Sequence, residues 1–298
     1  EHIQRRYIYT IGKETLKSKK LESSIPDIVR EKSYFMTDMV ADDLRSWLIE
    51  PDYSKEQKEN LELTNIQSNL INSRTESGFR RIRGAAGTGK SVIIAGRSIE
   101  LAKQQKDVLV ISFNITLIHY LRDLCSRYFR GYRRLITWKS FHQWIRDVAL
   151  DLSIKEKYKQ IWREHFSYNY DPENIDDTMN KIIPKLIDSQ LTEDQLSYVP
   201  TYDAILVDEG QDFDPSWWKI LTKVLRKNGE IILVSDTTQN IYLRKKTNWT
   251  DLPMIGTGFK GNWIDLKESH RLPHSFIPYL SNFMKIFLRD NEKIIPFT

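Results

Sequence analysis

The sequence contains almost no cysteine: Cys125 is the only one among 298 residues, so the chain cannot form an intramolecular disulfide. Its surroundings, YLRDLCSRYF, have helical spacing and predict a small buried residue. Long apolar runs are also missing, because the most apolar late stretch, FIPYLSNFMKIFL, is interrupted by Lys285 and is shorter than the roughly 18 uncharged residues of a membrane span. We therefore expect a reducing, cytoplasmic location and no membrane partner.

The composition is that of an ordinary folded protein, with 40% apolar and 29% charged residues and no internal repeat or low-complexity tract. Lys and Arg number 45 against 40 Asp and Glu, which gives a net charge of +5. A basic balance of this size is compatible with a polyanionic partner but does not demand one. The chain begins with Glu1 rather than Met, and we expect another domain to precede it.

Two different patterns divide the chain. Residues 1–60 are mixed and charged and predict an N-terminal helical or linker segment, with an amphipathic helix at 36–49. Residues 61–150 and 201–270 alternate short apolar runs with helical patterns, which predicts an α/β domain with a parallel sheet buried on both faces. The segment 151–200 interrupts this alternation and predicts a helical insertion. The predicted strands are 79–83, 108–113, 134–137, 204–208, 230–235 and 263–267, and the predicted helices between them are 91–105, 115–130, 139–150 and 215–226.

The strongest local motif is GAAGTGKS at 84–91, between a predicted strand and a predicted helix. Its glycines allow the backbone to turn so that N–H groups converge on phosphate oxygens, at a helix N-terminus that favours anions. Lys90 would add a full positive charge to the β- and γ-phosphates, and Ser91 would offer a hydroxyl ligand to Mg²⁺. The predicted nucleotide-binding residues of this loop are Gly84, Gly87, Thr88, Gly89, Lys90 and Ser91.

Two further apolar strands end in polar residues. The run AILVDEGQD at 204–212 delivers Asp208 as a candidate Mg²⁺ ligand and Glu209 as a candidate base or positioner for the attacking water. The run ILVSDTTQNIY at 232–242 ends in Ser235, Asp236 and Gln239, of which Gln239 is a candidate sensor of the γ-phosphate. Together with the loop at 84–91, these runs predict an ATPase that uses Mg²⁺.

The three motifs in this order resemble the motor core of UvrD/Rep-type superfamily 1 helicases, over about 63–275. The resemblance implies a RecA-like fold. LTNIQ at 63–67 is similar to the family's Q motif, in which Gln67 would read the adenine edge. LKESHRLP at 266–273 is similar to its motif IV, in which Arg271 would contact the γ-phosphate and His270 replaces the aromatic residue that stacks on adenine. Lys90, Glu209, Gln239 and Arg271 are then the implied catalytic residues.

The same resemblance implies a surface for single-stranded nucleic acid, DNA in the first instance. DEGQD at 208–212 is similar to the family's motif II, in which Gln211 would couple the nucleotide to the nucleic acid. SDTTQNIY at 235–242 is similar to its motif III, with Ser235 where the family has glycine. Helical spacing from 141 to 145 assigns Trp144 to the core. The implied contacts lie in VLVISFNITLIHYL (108–121), in ITWKSFHQWI (136–145) and in or just after motif III; they are Phe113, Asn114, Thr137, Ser140, Phe141, Tyr242 and Arg244.

The family motor has two RecA-like domains, whereas residues 271–298 are too few for a second one and are expected to be a linker or its beginning. The spacing from Trp249 to Arg271 is similar to helicase-like proteins that follow a nuclease-related (NERD) domain. Two functions stay open: an ATP-dependent translocase or helicase, or an ATPase switch that gates an attached or partner nuclease or effector, for instance in anti-phage defence. A small-molecule kinase has less support, because it would have no evident use for Gln67, Gln211 and Gln239.

Overall fold

The chain divides into two compact units, Glu1–Glu59 and Asn60–Thr298. The computed structural model describes residues 63–128, 135–165, 172–236, 250, 254, 256–270 and 274–287, all in the second unit. The helix predicted at 36–49 lies outside the described residues. Among the described helices, none is long and apolar enough to cross a membrane.

The described residues form a six-stranded sheet with the order β3-β2-β4-β5-β1-β6. Every strand pair in it is parallel, as the alternation of apolar runs and helical patterns predicts. The strands are β1 (Phe79–Gly84), β2 (Val108–Ser112), β3 (Ile136–Ser140), β4 (Tyr202–Asp208), β5 (Leu225–Ser235) and β6 (Ile264–Leu266). The predicted α/β fold with a RecA-like parallel sheet is confirmed.

The central strands are apolar throughout because helices cover both faces of the sheet. All five residues of β2 are buried, and in β4 only Asp203 is half-exposed. Strand β5 begins at Leu225, five residues before the predicted start, and its first part is exposed around Asn228, which has a left-handed backbone (φ 62°). This exposed part has no apolar pattern, so periodicity alone could not reveal it.

The helices lie on the two sheet faces and in the insertion. The described α-helices are α1 (Asn65–Asn72), α2 (Lys90–Lys103), α3 (Ile115–Tyr128), α4 (Phe141–Asp151), α5 (Lys155–His165), α6 (Pro172–Asp177), α7 (Ile183–Gln190), α8 (Pro215–Lys223) and α9 (Ile277–Phe287). One core joins α1, α2 and α3 to the sheet and includes Cys125, which is buried as predicted. The other core joins α4, α7 and α8 to the opposite face and contains Trp144, Trp217 and Trp218.

Most described residues of the predicted insertion are helical, from α5 through α7 with a π-helix at Thr178–Ile182 and a 3-10 helix at Asp194–Tyr198. The insertion is attached to the sheet domain by a buried hydrogen bond in which Trp217 Nε1 donates to the carbonyl of Asn180 at 2.9 Å. The parallel arrangement has one main consequence for function: strands β1, β2, β4 and β5 all present their carboxyl ends at the same edge, where ligands bind in α/β folds.

Candidate nucleotide-binding site

The loop between β1 and α2 has the backbone that a phosphate cradle requires. Gly87 and Gly89 have φ values of 82° and 85°, in the left-handed region that glycine adopts without strain. A Cβ at position 89 would also lie 2.3 Å from Nε2 of Gln67, so the end of the Gln67 side chain would have to move. The loop therefore needs glycine at positions 87 and 89 chiefly for its backbone conformation.

The ammonium of Lys90 is enclosed at the start of α2, with only 8% of the residue's surface exposed. Its Nζ donates to the carbonyls of Gly84 at 2.7 Å and Ala85 at 3.0 Å, and to Oδ2 of Asp236 at 3.2 Å. Lys90 is thus held inside the curve of the loop, and its contact with phosphates stays a prediction. The ion pair with Asp236 was not predicted, because sequence analysis noted Asp236 only as a polar residue at the end of a strand.

Ser91 and Asp208 meet across the carboxyl edge of the sheet. Ser91 Oγ donates to Asp208 Oδ2 at 3.0 Å, although the residues are 117 positions apart in sequence. Burial, followed by the charge of the neighbouring Glu209, raises the pKa of Asp208 to about 7, while hydrogen bonding to Ser91 and the charge of Lys90 oppose this shift. A buried carboxylate with this environment is stabilised by a further cation.

The donor set at this point fits the Mg²⁺ that the fold family implies. Hydroxyl and carboxylate oxygens are the hard ligands that Mg²⁺ prefers, and it keeps several of its waters when bound. Ser112 is in register with Asp208 on the adjacent strand, and its buried hydroxyl has no hydrogen-bond partner among the described residues. Ser91 and Asp208 would hold the ion, and a water bound to it would give Ser112 a partner. Ser112 was not predicted, because one serine at a strand end carries no signal in a sequence.

Glu209 follows β4 in a strained conformation, with φ 54° and ψ 50°. Its Oε2 accepts a hydrogen bond of 2.6 Å from Nε2 of Gln211. On its other side, Oε1 of Gln211 accepts from the Ser235 hydroxyl at 3.2 Å and from the backbone N–H of Asp236 at 2.9 Å. Gln211 therefore joins the end of β4 to the end of β5 and fixes the direction in which Glu209 points.

A pocket of about 270 Å³ lies beside the loop, and both residues predicted to contact adenine line it. Gln67 is 4% exposed; its Oε1 accepts from the backbone N–H of Thr64 at 3.0 Å, and its Nε2 donates to the carbonyl of Thr88 at 3.3 Å. The backbone N–H of His270 donates to the carbonyl of Gly87 at 3.0 Å. The structure thus brings Gln67 and His270 together next to the phosphate loop. Their contact with a base stays a prediction.

The residues predicted to contact nucleic acid are more scattered. Asn114 is exposed just after β2, and its Oδ1 accepts from the N–H and hydroxyl of Thr116, so it also caps α3. Phe113 is half-buried and packs on Trp217 with a ring-centroid distance of 6.1 Å. Thr137 lies three residues before the carboxyl end of β3, beside the buried phenol of Tyr202, with which it forms a hydrogen bond.

Two of the predicted nucleic-acid contacts are corrected by their burial. Phe141 is fully buried and stacks on Trp217 with centroids 4.0 Å apart and planes 9° apart, so it offers no face to a base. Ser140 is 6% exposed, and its hydroxyl accepts from the Gln143 N–H in a capping box that begins α4. Both residues are parts of the core and its helix cap. Trp144, assigned to the core from sequence, is buried as predicted.

Four predicted site residues, Gln239, Tyr242, Arg244 and Arg271, lie outside the described residues. Their roles stay predictions. Within the described part of the chain, no group of three or more His, Cys, Asp or Glu residues is arranged to hold a metal ion.

The parallel sheet, the glycine loop enclosing Lys90 and the contact between Ser91 and Asp208 define a P-loop nucleotide-binding domain. The comparison with protein families agrees: a family model described as an AAA domain matches residues 67–245, more than half of the chain, and the chain belongs to this family. No curated protein matches the chain. The matched range runs from Gln67 past the end of β5 and so contains the phosphate loop, Asp208 and Glu209.

Proposed function

We propose that this domain hydrolyses ATP and couples hydrolysis to translocation on single-stranded nucleic acid, DNA in the first instance, as superfamily 1 helicases do. The observation that carries the proposal is the hydrogen-bonded bridge made by Gln211. It connects Glu209, where water would be positioned, to the end of β5, which leads directly into the segment containing Tyr242 and Arg244. A change at the γ-phosphate could therefore pass through Gln211 to Asp236, directly after β5 and six residues before Tyr242 in the sequence.

The chemistry follows from the residues around the loop. The backbone N–H groups of residues 87–91 and the Lys90 ammonium would bind the phosphates of ATP and stabilise the charge that develops during phosphoryl transfer. Glu209 would orient the attacking water or accept its proton, and Gln211 would keep it in place. When bound at Ser91 and Asp208, Mg²⁺ neutralises phosphate charge. Gln239 and Arg271 are the proposed additional contacts to the γ-phosphate.

The adenine base would occupy the pocket beside the loop, between Gln67 and His270. On the nucleic-acid side, Asn114 and the half-buried Phe113 follow β2, next to β4 at the carboxyl edge of the sheet. We propose that these two residues contact the single-stranded nucleic acid, together with the predicted contacts Tyr242 and Arg244. A second RecA-like domain, in the same chain or in a partner, would complete the motor; an attached or partner nuclease or effector is what the alternative switch would gate.

The direct test measures the ATPase rate of the complete protein with and without single-stranded DNA. We expect stimulation by single-stranded DNA. Glu209→Gln should remove turnover in both conditions while leaving ATP binding intact, because it removes a base but no phosphate contact. Glu193→Gln, the same change at an exposed acid in the helical insertion, is the matched control and should behave like the unmodified protein.

A strand-displacement assay separates the two functions that the sequence left open. ATP-dependent displacement or movement along a single strand supports the motor. Vigorous hydrolysis that does not respond to single-stranded DNA, with no displacement, would contradict coupling to nucleic acid and would favour a nucleotide switch that gates an effector.

A further inference from the structure

We propose that Asp236 is a positioning residue that binds the ammonium of Lys90 when no nucleotide is present and competes with the phosphates for it. Nucleotide affinity would then depend on an exchange, in which phosphate oxygens replace the Asp236 carboxylate as the partner of Lys90. The inference rests on the nucleotide site of the proposed function but not on movement along nucleic acid.

All three N–H bonds of the Lys90 ammonium are engaged within the protein. An ammonium group donates along each of its N–H bonds, and Nζ of Lys90 has one acceptor for each: the carbonyls of Gly84 and Ala85 and the carboxylate of Asp236. A phosphate oxygen can therefore bind Lys90 only by displacing one of these acceptors.

Asp236 is the acceptor that phosphate displaces. The Gly84 and Ala85 carbonyls belong to the loop itself and carry only partial charge, whereas Asp236 is fully buried and carries a carboxylate. A phosphate beside it would bring two like charges together in a site with little water, where repulsion is strongest. Asp208 and Glu209 lie at the same edge of the sheet, so two further acids are close to Lys90 and Asp236.

Asp236 also connects Lys90 to Glu209. The Asp236 side chain holds Lys90, while its backbone N–H is bonded to Gln211, which in turn holds Oε2 of Glu209 at 2.6 Å. The ion pair and the two hydrogen bonds form one continuous chain from the phosphate loop to the residue that positions water. When phosphate releases Asp236 from Lys90, the same chain adjusts the position of Glu209.

The test replaces Asp236 with Asn, which keeps the size of the side chain and an oxygen acceptor but removes the charge. Equilibrium binding of ADP and of a non-hydrolysable ATP analogue is measured, together with kcat and KM for ATP. We expect the dissociation constants to fall by about tenfold, which corresponds to roughly 1.4 kcal/mol, and kcat to fall because Glu209 loses its connection to Lys90. A role limited to stability would weaken binding instead.

Asp203→Asn is the matched control. It is the same chemical change on β4, at the amino edge of the sheet, where Asp203 pairs with Arg226, and nucleotide binding should not change. Combining Asp236→Asn with Lys90→Met tests the exchange itself: without an ammonium to compete for, the tightening should disappear. If Asp236→Asn still increases nucleotide affinity in the Lys90→Met protein, the Asp236 carboxylate only repels the phosphates, and the proposed exchange is overturned.

Unchanged or weaker binding by a folded Asp236→Asn protein would also overturn the inference. If that variant does not fold, Asp236→Ser is measured, and the Lys90 ammonium is followed by NMR in the unmodified protein. A side-chain signal protected from exchange without nucleotide and shifted by ADP supports the inference, whereas an unprotected signal contradicts it. Unmodified protein that binds no nucleotide would instead refute the nucleotide site, so the two failures are distinguishable.

Discussion

The nucleotide site and the predicted nucleic-acid surface differ in how well their residues come together. Four predicted residues converge at one edge of the sheet: Ser91, Asp208 and Glu209 are joined by direct hydrogen bonds, and Lys90 is connected to Glu209 through Asp236 and Gln211. Of the predicted nucleic-acid contacts, Phe141 and Ser140 are buried and Thr137 lies away from that edge. Residues placed by a tight turn or a strand end are therefore easier to locate from sequence than residues that must face a large ligand.

The largest effect is expected at the nucleotide site. Lys90→Ala removes the ammonium at the phosphates and should lower the ATP hydrolysis rate by about 10²- to 10³-fold, the range for losing one preorganised donor. Lys103→Ala, at the exposed far end of the same helix, should leave the rate unchanged. Steady-state phosphate release measures both variants. Hydrolysis at the normal rate by the Lys90→Ala protein would refute the site.

The next prediction concerns Phe141, which the sequence assigned to the nucleic-acid surface and which is buried in the core. Phe141→Ala should destabilise the domain by about 3–5 kcal/mol, because it opens a cavity against Trp217 in the core. Tyr279→Ala, at an exposed aromatic residue, should change stability by no more than about 0.5 kcal/mol. Denaturant unfolding provides the measurement. A Phe141→Ala protein of normal stability that fails to bind single-stranded DNA would restore the role predicted from sequence.

A third prediction concerns how the core positions the adenine pocket. Glu230 accepts a bidentate ion pair from Arg97, at 2.7 and 2.8 Å, and Arg97 also donates to the Ile71 carbonyl at the end of α1. Glu230→Gln leaves a buried guanidinium without its counter-charge and should cost about 3 kcal/mol of stability. Because Gln67 lies on α1, nucleotide affinity should fall as well.

The control for Glu230→Gln is Asp188→Asn, which removes an acid from partly exposed ion pairs with Lys219 and Lys223 and should cost about 1 kcal/mol or less. Thermal unfolding and ADP binding are measured for both variants. If Glu230→Gln loses stability but binds ADP normally, α1 is not held in place for nucleotide by this pair.

The smallest effect is expected at the nucleic-acid surface. Asn114→Ser keeps an oxygen that can cap α3 but removes the amide, so stability should stay within about 0.5 kcal/mol. Affinity for single-stranded DNA should fall by about fivefold, the loss of one hydrogen bond. Fluorescence anisotropy measures the affinity. Equal affinity for the Asn114→Ser and unmodified proteins would remove Asn114 from the proposed contacts.

Much of the fold could be predicted because its signals are local. The continuous apolar runs of β2 and β4 predict strands in a sheet that helices cover on both faces. The motif GAAGTGKS predicts a glycine-rich turn followed by a helix. The ion pair between Lys90 and Asp236 could not be predicted, since the two residues are 146 positions apart and only strand order makes β1 and β5 neighbours. The prediction for Phe141 was wrong for a related reason: aromatic rings of the core and rings that stack on bases are the same residue types, and only packing distinguishes them.

The nucleotide site is tested most directly by a crystal structure of the domain with Mg²⁺ and a non-hydrolysable ATP analogue. We expect the phosphates to contact the backbone N–H groups of residues 87–91 and the Lys90 ammonium, with the metal between Ser91 and Asp208. Phosphates bound elsewhere on the domain, or a metal that contacts neither Ser91 nor Asp208, would contradict the proposed nucleotide site.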